Sequence, residues 1–252
     1  MLSKTRVGAR GALAYLEPRF VPWVFRMMQA LSPTYLRLAE GVRRVRLEGI
    51  ERLIDAYRDF YAGRSRLLLA FRHPTAHDPQ VMVYLITRAL PAAARARKEP
   101  LGGLPHVHFV YGRNVVLWHG GGAGFLIPRI EGVSVMNRRS DSQGMRALRR
   151  YLIDGPYPMA LAPEGQVTYH NHCLGPVEPG TAHLALWCRE ELRRRGDALE
   201  IHILPIAPLY RYAGKADRVL EGLTGRLAAQ TGLEAPAQGD WRQRLLALTG
   251  AL

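Results

Sequence analysis

Apolar positions along this 252-residue chain switch repeatedly between two periods. Ile50, Leu53, Ile54, Tyr57 and Tyr61 recur every three or four residues, the spacing of one face of a helix. The run LLLAF (67–71) follows without a polar break and ends in charged residues, as a strand buried on both faces does. The same alternation continues. Residues 79–90 are apolar and helix-like, HVHFVY (106–111) and GVSVMN (132–137) alternate like strands, and 140–153 is a capped amphipathic helix ending before Gly155. MALAP (159–163), a helix over 181–195 stopped by Gly196, and IHILPIAPLY (201–210) complete the series. Five strands interleaved with helices predict an α/β fold, a single domain with a largely parallel mixed sheet flanked by helices.

The ends differ from this middle. RFVPWVFRMMQAL (19–31) and residues 34–46 read as two short amphipathic helices parted by Ser32-Pro33, and the tail from Lys215 to Leu252 reads as helical without a functional signal. Three parts are therefore expected: basic, aromatic helices over 1–46, the main domain over 47–212, and a helical tail over 213–252.

Charge changes the picture at the first of these. The chain carries 35 Lys and Arg against 21 Asp and Glu, a formal +14, which calls for an anionic partner such as nucleic acid, a phospholipid surface or a phosphorylated metabolite. Nine of the basic residues fall within 1–46, against only Glu17 and Glu40, and they alternate with Tyr15, Phe20, Trp23, Phe25 and Tyr35. Aromatic rings and cations together suit the headgroup layer of a membrane, although single-stranded nucleic acid uses similar ingredients. The longest uncharged run, Val115 to Pro128, has 14 residues and falls short of the roughly 18 of a spanning helix. No compact apolar segment with a small-residue cleavage site marks the first thirty residues, and Cys173 and Cys188 form no disulfide framework. The expected location is cytoplasmic, peripheral on the inner face of the membrane.

Ligand sites in parallel sheets gather beyond the carboxyl ends of the strands. Three loops qualify here: FRHPTAHD after the first strand, NRRSD (137–141) after the third, and PEGQVTYHNH (163–172) after the fourth. In the first loop, His73 and Asp78 make a candidate pair for general-base chemistry. A carboxylate bonded to one imidazole nitrogen fixes the tautomer, and the other nitrogen takes a proton from a substrate hydroxyl. Asp78-Pro79 equally spells a helix N-cap followed by proline, so capping and orienting both stand as tasks for Asp78.

These residues resemble the lysophospholipid (glycerolipid) acyltransferases, such as the 1-acylglycerol-3-phosphate acyltransferases. Four motifs occur in order between residues 67 and 208: His73 to Asp78 as His-x-x-x-x-Asp, Gly132 to Arg138, Pro-Glu-Gly at Pro163, Glu164 and Gly165, and the proline-bearing strand around Pro205. The resemblance implies O-acyl transfer to a lysophospholipid without a covalent intermediate, with His73 as general base and Asp78 as its orienting partner. It makes Arg138, after Gly132, the cation for an acceptor phosphate, and Pro163, Glu164, Gly165 and Gln166 the acceptor-binding turn. It further implies acyl-CoA or acyl carrier protein as co-substrate, no cofactor, no metal, membrane lipids as partners and no nucleic acid. Gln166 and Val167 stand where relatives carry a hydroxyl and an arginine, so the acceptor headgroup stays open.

Other chemistries were weighed. His73/His77, His106/His108 and His170/His172 beside Cys173 offer imidazole pairs to a metal, but no Cys-x-x-Cys accompanies them, and His106 and His108 read as strand residues on one face. HGGGAG (119–124) imitates the oxyanion loop of esterases without the Gly-x-Ser-x-Gly that should follow, and reads as a flexible loop near the cleft, or a lid over the acyl donor. A non-catalytic binder of anionic membrane or nucleic acid, using Arg189 and Arg193 to Arg195, is the alternative from another class.

Overall fold

The computed structural model describes residues 15–118, 120–136, 141–212, 216–233 and 239–250. Its strands are β1 (Ser65–Phe71), β2 (His108–Gly112), β3 (Val133–Val135), β4 (Met159–Leu161) and β5 (Glu200–Ile206), joined in one sheet of order β3-β2-β4-β1-β5. Every ladder is parallel. The helices are α1 (Pro22–Leu38), α2 (Ile50–Tyr61), α3 (Asp78–Tyr84), α4 (Leu90–Arg97), α5 (Val115–Trp118), α6 (Gly120–Arg129), α7 (Ser142–Asp154), α8 (Gly180–Arg194), α9 (Asp217–Thr231) and α10 (Trp241–Gly250).

The pleat of β1 explains why its sequence is an unbroken apolar run. Leu67, Leu69 and Phe71 join Leu53, Ile54, Tyr57 and Met82 on one side of the sheet, where α2 and α3 pack. Leu68 points the other way, into a cluster with Leu148, Leu152, Leu184 and Leu192 of α7 and α8. Ala160 and Met159 of β4 divide between the same two clusters. Both faces are thus dry, and each fully buried leucine contributes about 1.5–3 kcal/mol relative to exposure.

Two helices run through prolines that the sequence reading took as boundaries. The expected pair of N-terminal helices is one helix, α1, with Pro33 inside it, and residues 42–46 are not helical. Pro33 has no N–H for the carbonyl of Gln29, and the hydroxyl of Ser32 donates to that carbonyl instead, at 3.1 Å. In the second case, α3 passes through one π-helical turn, Leu85–Ala89, into α4, which contains Pro91. The carbonyl of Thr87 loses its donor at Pro91 and accepts from the side chain of Gln29 at 2.7 Å. This bond also fastens α1 to the helix beneath the candidate site.

The glycine-rich stretch expected as a loop is helical on both sides of His119, which lies outside the described residues. Its end is held by backbone bonds from Arg19 to Pro128 and from Val21 to Arg129, at 2.8 and 2.9 Å. The residues up to Leu209 form one compact unit. Those from Tyr210 form a second, in which the Trp241 indole donates to Asp217 at 3.0 Å. Among the described residues, no helix is long and apolar enough to cross a membrane.

Candidate active site

Strand β1 ends at Phe71, and the chain turns over the carboxyl edge of the sheet through Arg72, His73 and Thr75 before α3 begins at Asp78. Asp78 is fully buried. Its Oδ2 lies 3.0 Å from His73 Nδ1 and accepts the Thr75 backbone N–H at 2.8 Å. The carboxylate therefore turns back onto its own loop and makes no cap bond to α3, so of the two tasks left open by the sequence it performs the orienting one. With Nδ1–H given to Asp78, the tautomer assigned by this network leaves Nε2 of His73 as an acceptor. The His73 side chain is 18% exposed, enough for a substrate proton to reach it. Among the described residues, no hydroxyl or thiol bonds to its ring.

Strand β4 lies beside β1, with Ala70 opposite Leu161, so the Pro163–Glu164–Gly165 turn arrives next to His73. Gly165 supplies the positive φ (+67°) on which the turn closes, its N–H donating to Ala162 at 3.0 Å. Glu164 is buried, and both of its oxygens are engaged by backbone: His73 N–H at 2.6 Å and Gly175 N–H at 3.0 Å. In return the His73 carbonyl accepts from Thr168 N–H at 2.9 Å. Arg72 completes the joint by donating to the carbonyls of His170, Asn171 and Cys173. What the structure gives Glu164 is the work of a strut between two loops. Gln166 is exposed, and Pro163 enters through its carbonyl, which accepts from Glu178 N–H at 2.8 Å.

The third loop stands apart. β3 is separated from β4 by β2, a distance of two ladder spacings or roughly 10 Å. Arg138 lies outside the described residues. Gly132 is required by packing, since a Cβ there would sit 2.2 Å from Ile127 Cγ2. The flanks of this loop are held by an ion pair that the sequence reading missed: Arg113, at the end of β2, donates to both oxygens of Asp141 at 2.8 and 3.0 Å. Asp141 also accepts from the N–H groups of Met136 and Gly144, capping α7. Burial pushes its carboxyl upward, but those amides and Arg113 outweigh burial and hold it below the ordinary carboxylate value.

No protein-family model matches the chain, and no curated protein does. The site accordingly rests on its geometry.

The remaining histidines have other surroundings. His77 pairs with Glu40, whose side chain is nearly buried just beyond the end of α1, and is thereby turned away from His73. His106 and His108 are fully buried among Phe20, Tyr151 and Tyr157, near the amino end of β2 and opposite the site. Burial, then the neighbouring His108, pushes the His106 imidazole down to about 3. Among the described residues, no group of three or more His, Cys, Asp or Glu side chains is arranged to hold a metal ion.

Proposed function

We propose that the protein is an O-acyltransferase that moves a fatty acyl group from a thioester of coenzyme A or acyl carrier protein to the hydroxyl of a lysophospholipid. The observation that carries this reading is the buried Asp78 aligned on Nδ1 of His73, which leaves Nε2 to accept a proton. The acceptor hydroxyl gives its proton to Nε2 as its oxygen attacks the thioester carbonyl. The tetrahedral intermediate then collapses, the C–S bond breaks, and the imidazolium returns the proton to the departing thiolate. No side chain becomes acylated. General-base assistance of this kind contributes typically about 10² to 10⁴-fold.

A bilayer-resident acceptor fits the outer surface of α1. Trp23, Met27, Leu31, Tyr35 and Leu38 form one exposed apolar stripe, while Val24, Phe25 and Leu36 pack inward. Exposed Arg19, Arg26, Arg37, Arg43, Arg44 and Arg46 surround it, none of them in an ion pair among the described residues. Cations around an apolar stripe favour an anionic lipid surface. The test is to supply labelled acyl-CoA or acyl carrier protein with a panel of lysolipids. Labelled diacyl product is expected with at least one acceptor; none with any acceptor contradicts the proposal.

A further inference from the structure

The largest cavity among the described residues is an open groove of about 750 Å³ bordered by α7 and α8, away from His73. Both helices leave the carboxyl edge of the sheet, one after the loop ending in Asp141 and the other after the loop carrying Glu164. The groove starts at Gln143, in the first turn of α7, and extends to Arg194 and Arg195 at the far end of α8. Each helix turns an outward face to it, and the thirteen residues of α7 give it a length of about 20 Å. Its lining is arginine around one half-exposed tryptophan: Arg149 lies 4.2 Å above the Trp187 ring, and Arg146 stands one turn before Arg149 and Arg150.

Not all of these cations are free. Arg150 is paired with Glu17, Arg194 with Glu191, and Arg195 with Asp154 and Glu191. Arg146 and Arg149 form no ion pair among the described residues, and neither do Arg189 and Arg193 on the adjoining face of α8. Unpaired arginines beside a central tryptophan are the composition of a protein-docking surface, in which Trp and Arg anchor and the rim remains polar.

We propose that this groove docks an acidic helix of a protein partner and, taking the acyl-transfer reading for the cargo, that the partner is the acyl carrier protein delivering the thioester. A trough between two helices accepts a third helix by side-chain interdigitation at an axial separation of about 8–10 Å. Carboxylates of Glu17, Asp154, Glu190 and Glu191 interrupt the lining and oppose a continuous phosphate backbone, whereas a protein helix can place its acidic residues at the unpaired arginines and an apolar one at Trp187. A flat bilayer cannot enter the trough.

The test measures binding of holo-acyl carrier protein to the full-length chain by calorimetry, at low salt and at about 0.5 M salt. Wild type is expected to bind, with affinity falling as salt rises, and Arg146→Glu/Arg149→Glu to bind at least about tenfold more weakly. In parallel, KM for the carrier-bound donor should rise by a similar factor, while KM for acyl-CoA stays within about twofold. Arg146→Ala/Arg149→Ala serves if the charge reversal unfolds the protein, as checked by circular dichroism. Absence of carrier binding by wild type, equal binding by wild type and variant, or loss of oligonucleotide binding alone in the variant overturns the assignment. Carrier binding that depends on the two arginines, without acyl transfer to any acceptor, would keep the groove and remove the acyl-transfer reading.

Discussion

Asp78 and Glu164 are both buried carboxylates at the carboxyl edge of the sheet, and their partners separate their tasks. Asp78 addresses an imidazole nitrogen, whereas Glu164 addresses two backbone amides. The first could be read from the spacing to His73. The second could not, because Pro-Glu-Gly spells a turn without fixing where its carboxylate points. Glu164→Gln is expected to leave one amide poorly satisfied, lowering stability by about 1–3 kcal/mol and kcat with it, as thermal unfolding and turnover would report. Unchanged values for both would deny the strut. Buried His106 makes a separate prediction. Neutral in the fold down to about pH 3, it takes up a proton near about 6.5 once unfolded, so the unfolded state binds more protons between these values and stability falls as pH drops through them. Urea unfolding between pH 6 and 4 should show a shallower loss in His106→Leu, by up to about 1.4 kcal/mol per pH unit. Parallel slopes would show that His106 carries none of it.

At the scale of elements, the sequence reading located all five strands and lost its way at prolines and glycines. Pro33 and Pro91 looked like ends because each removes a backbone donor, and only the folded chain reveals that Ser32 and Gln29 replace what is lost. The glycine-rich stretch lacked helix-forming residues, yet it is helical where α6 is fastened to the strand-like entry into α1. Helix α1 itself has two apolar sides, so its amphipathicity was legible but the outward stripe was not. Replacing Trp23 by Ala together with Leu31 by Asp should reduce co-sedimentation with anionic vesicles several-fold, with little effect on neutral ones, because the apolar contact and the surrounding arginines act together. Undiminished sedimentation would remove α1 from the membrane contact.

For the molecule as a whole, the alternation of strands and helices was enough to give a parallel α/β fold, but not the strand order. That order decides which loops meet: β1 beside β4 joins His73 to Glu164, and β2 between β4 and β3 sets the third loop apart. Arg113, placed at the end of that intervening strand, then holds Asp141, a pairing across 28 residues with no local signature. The arrangement yields one exposed imidazole nitrogen backed by a buried carboxylate, with a basic, apolar helix and an arginine groove on other parts of the surface. Its central claim is that His73 removes the acceptor proton and Asp78 makes it able to. The direct measurement is kcat for acyl transfer to the best lysolipid by wild type, His73→Ala and Asp78→Asn, each checked for native folding. Both variants are expected to fall by about 10² to 10⁴-fold; transfer at the wild-type rate by a folded His73→Ala would contradict the mechanism.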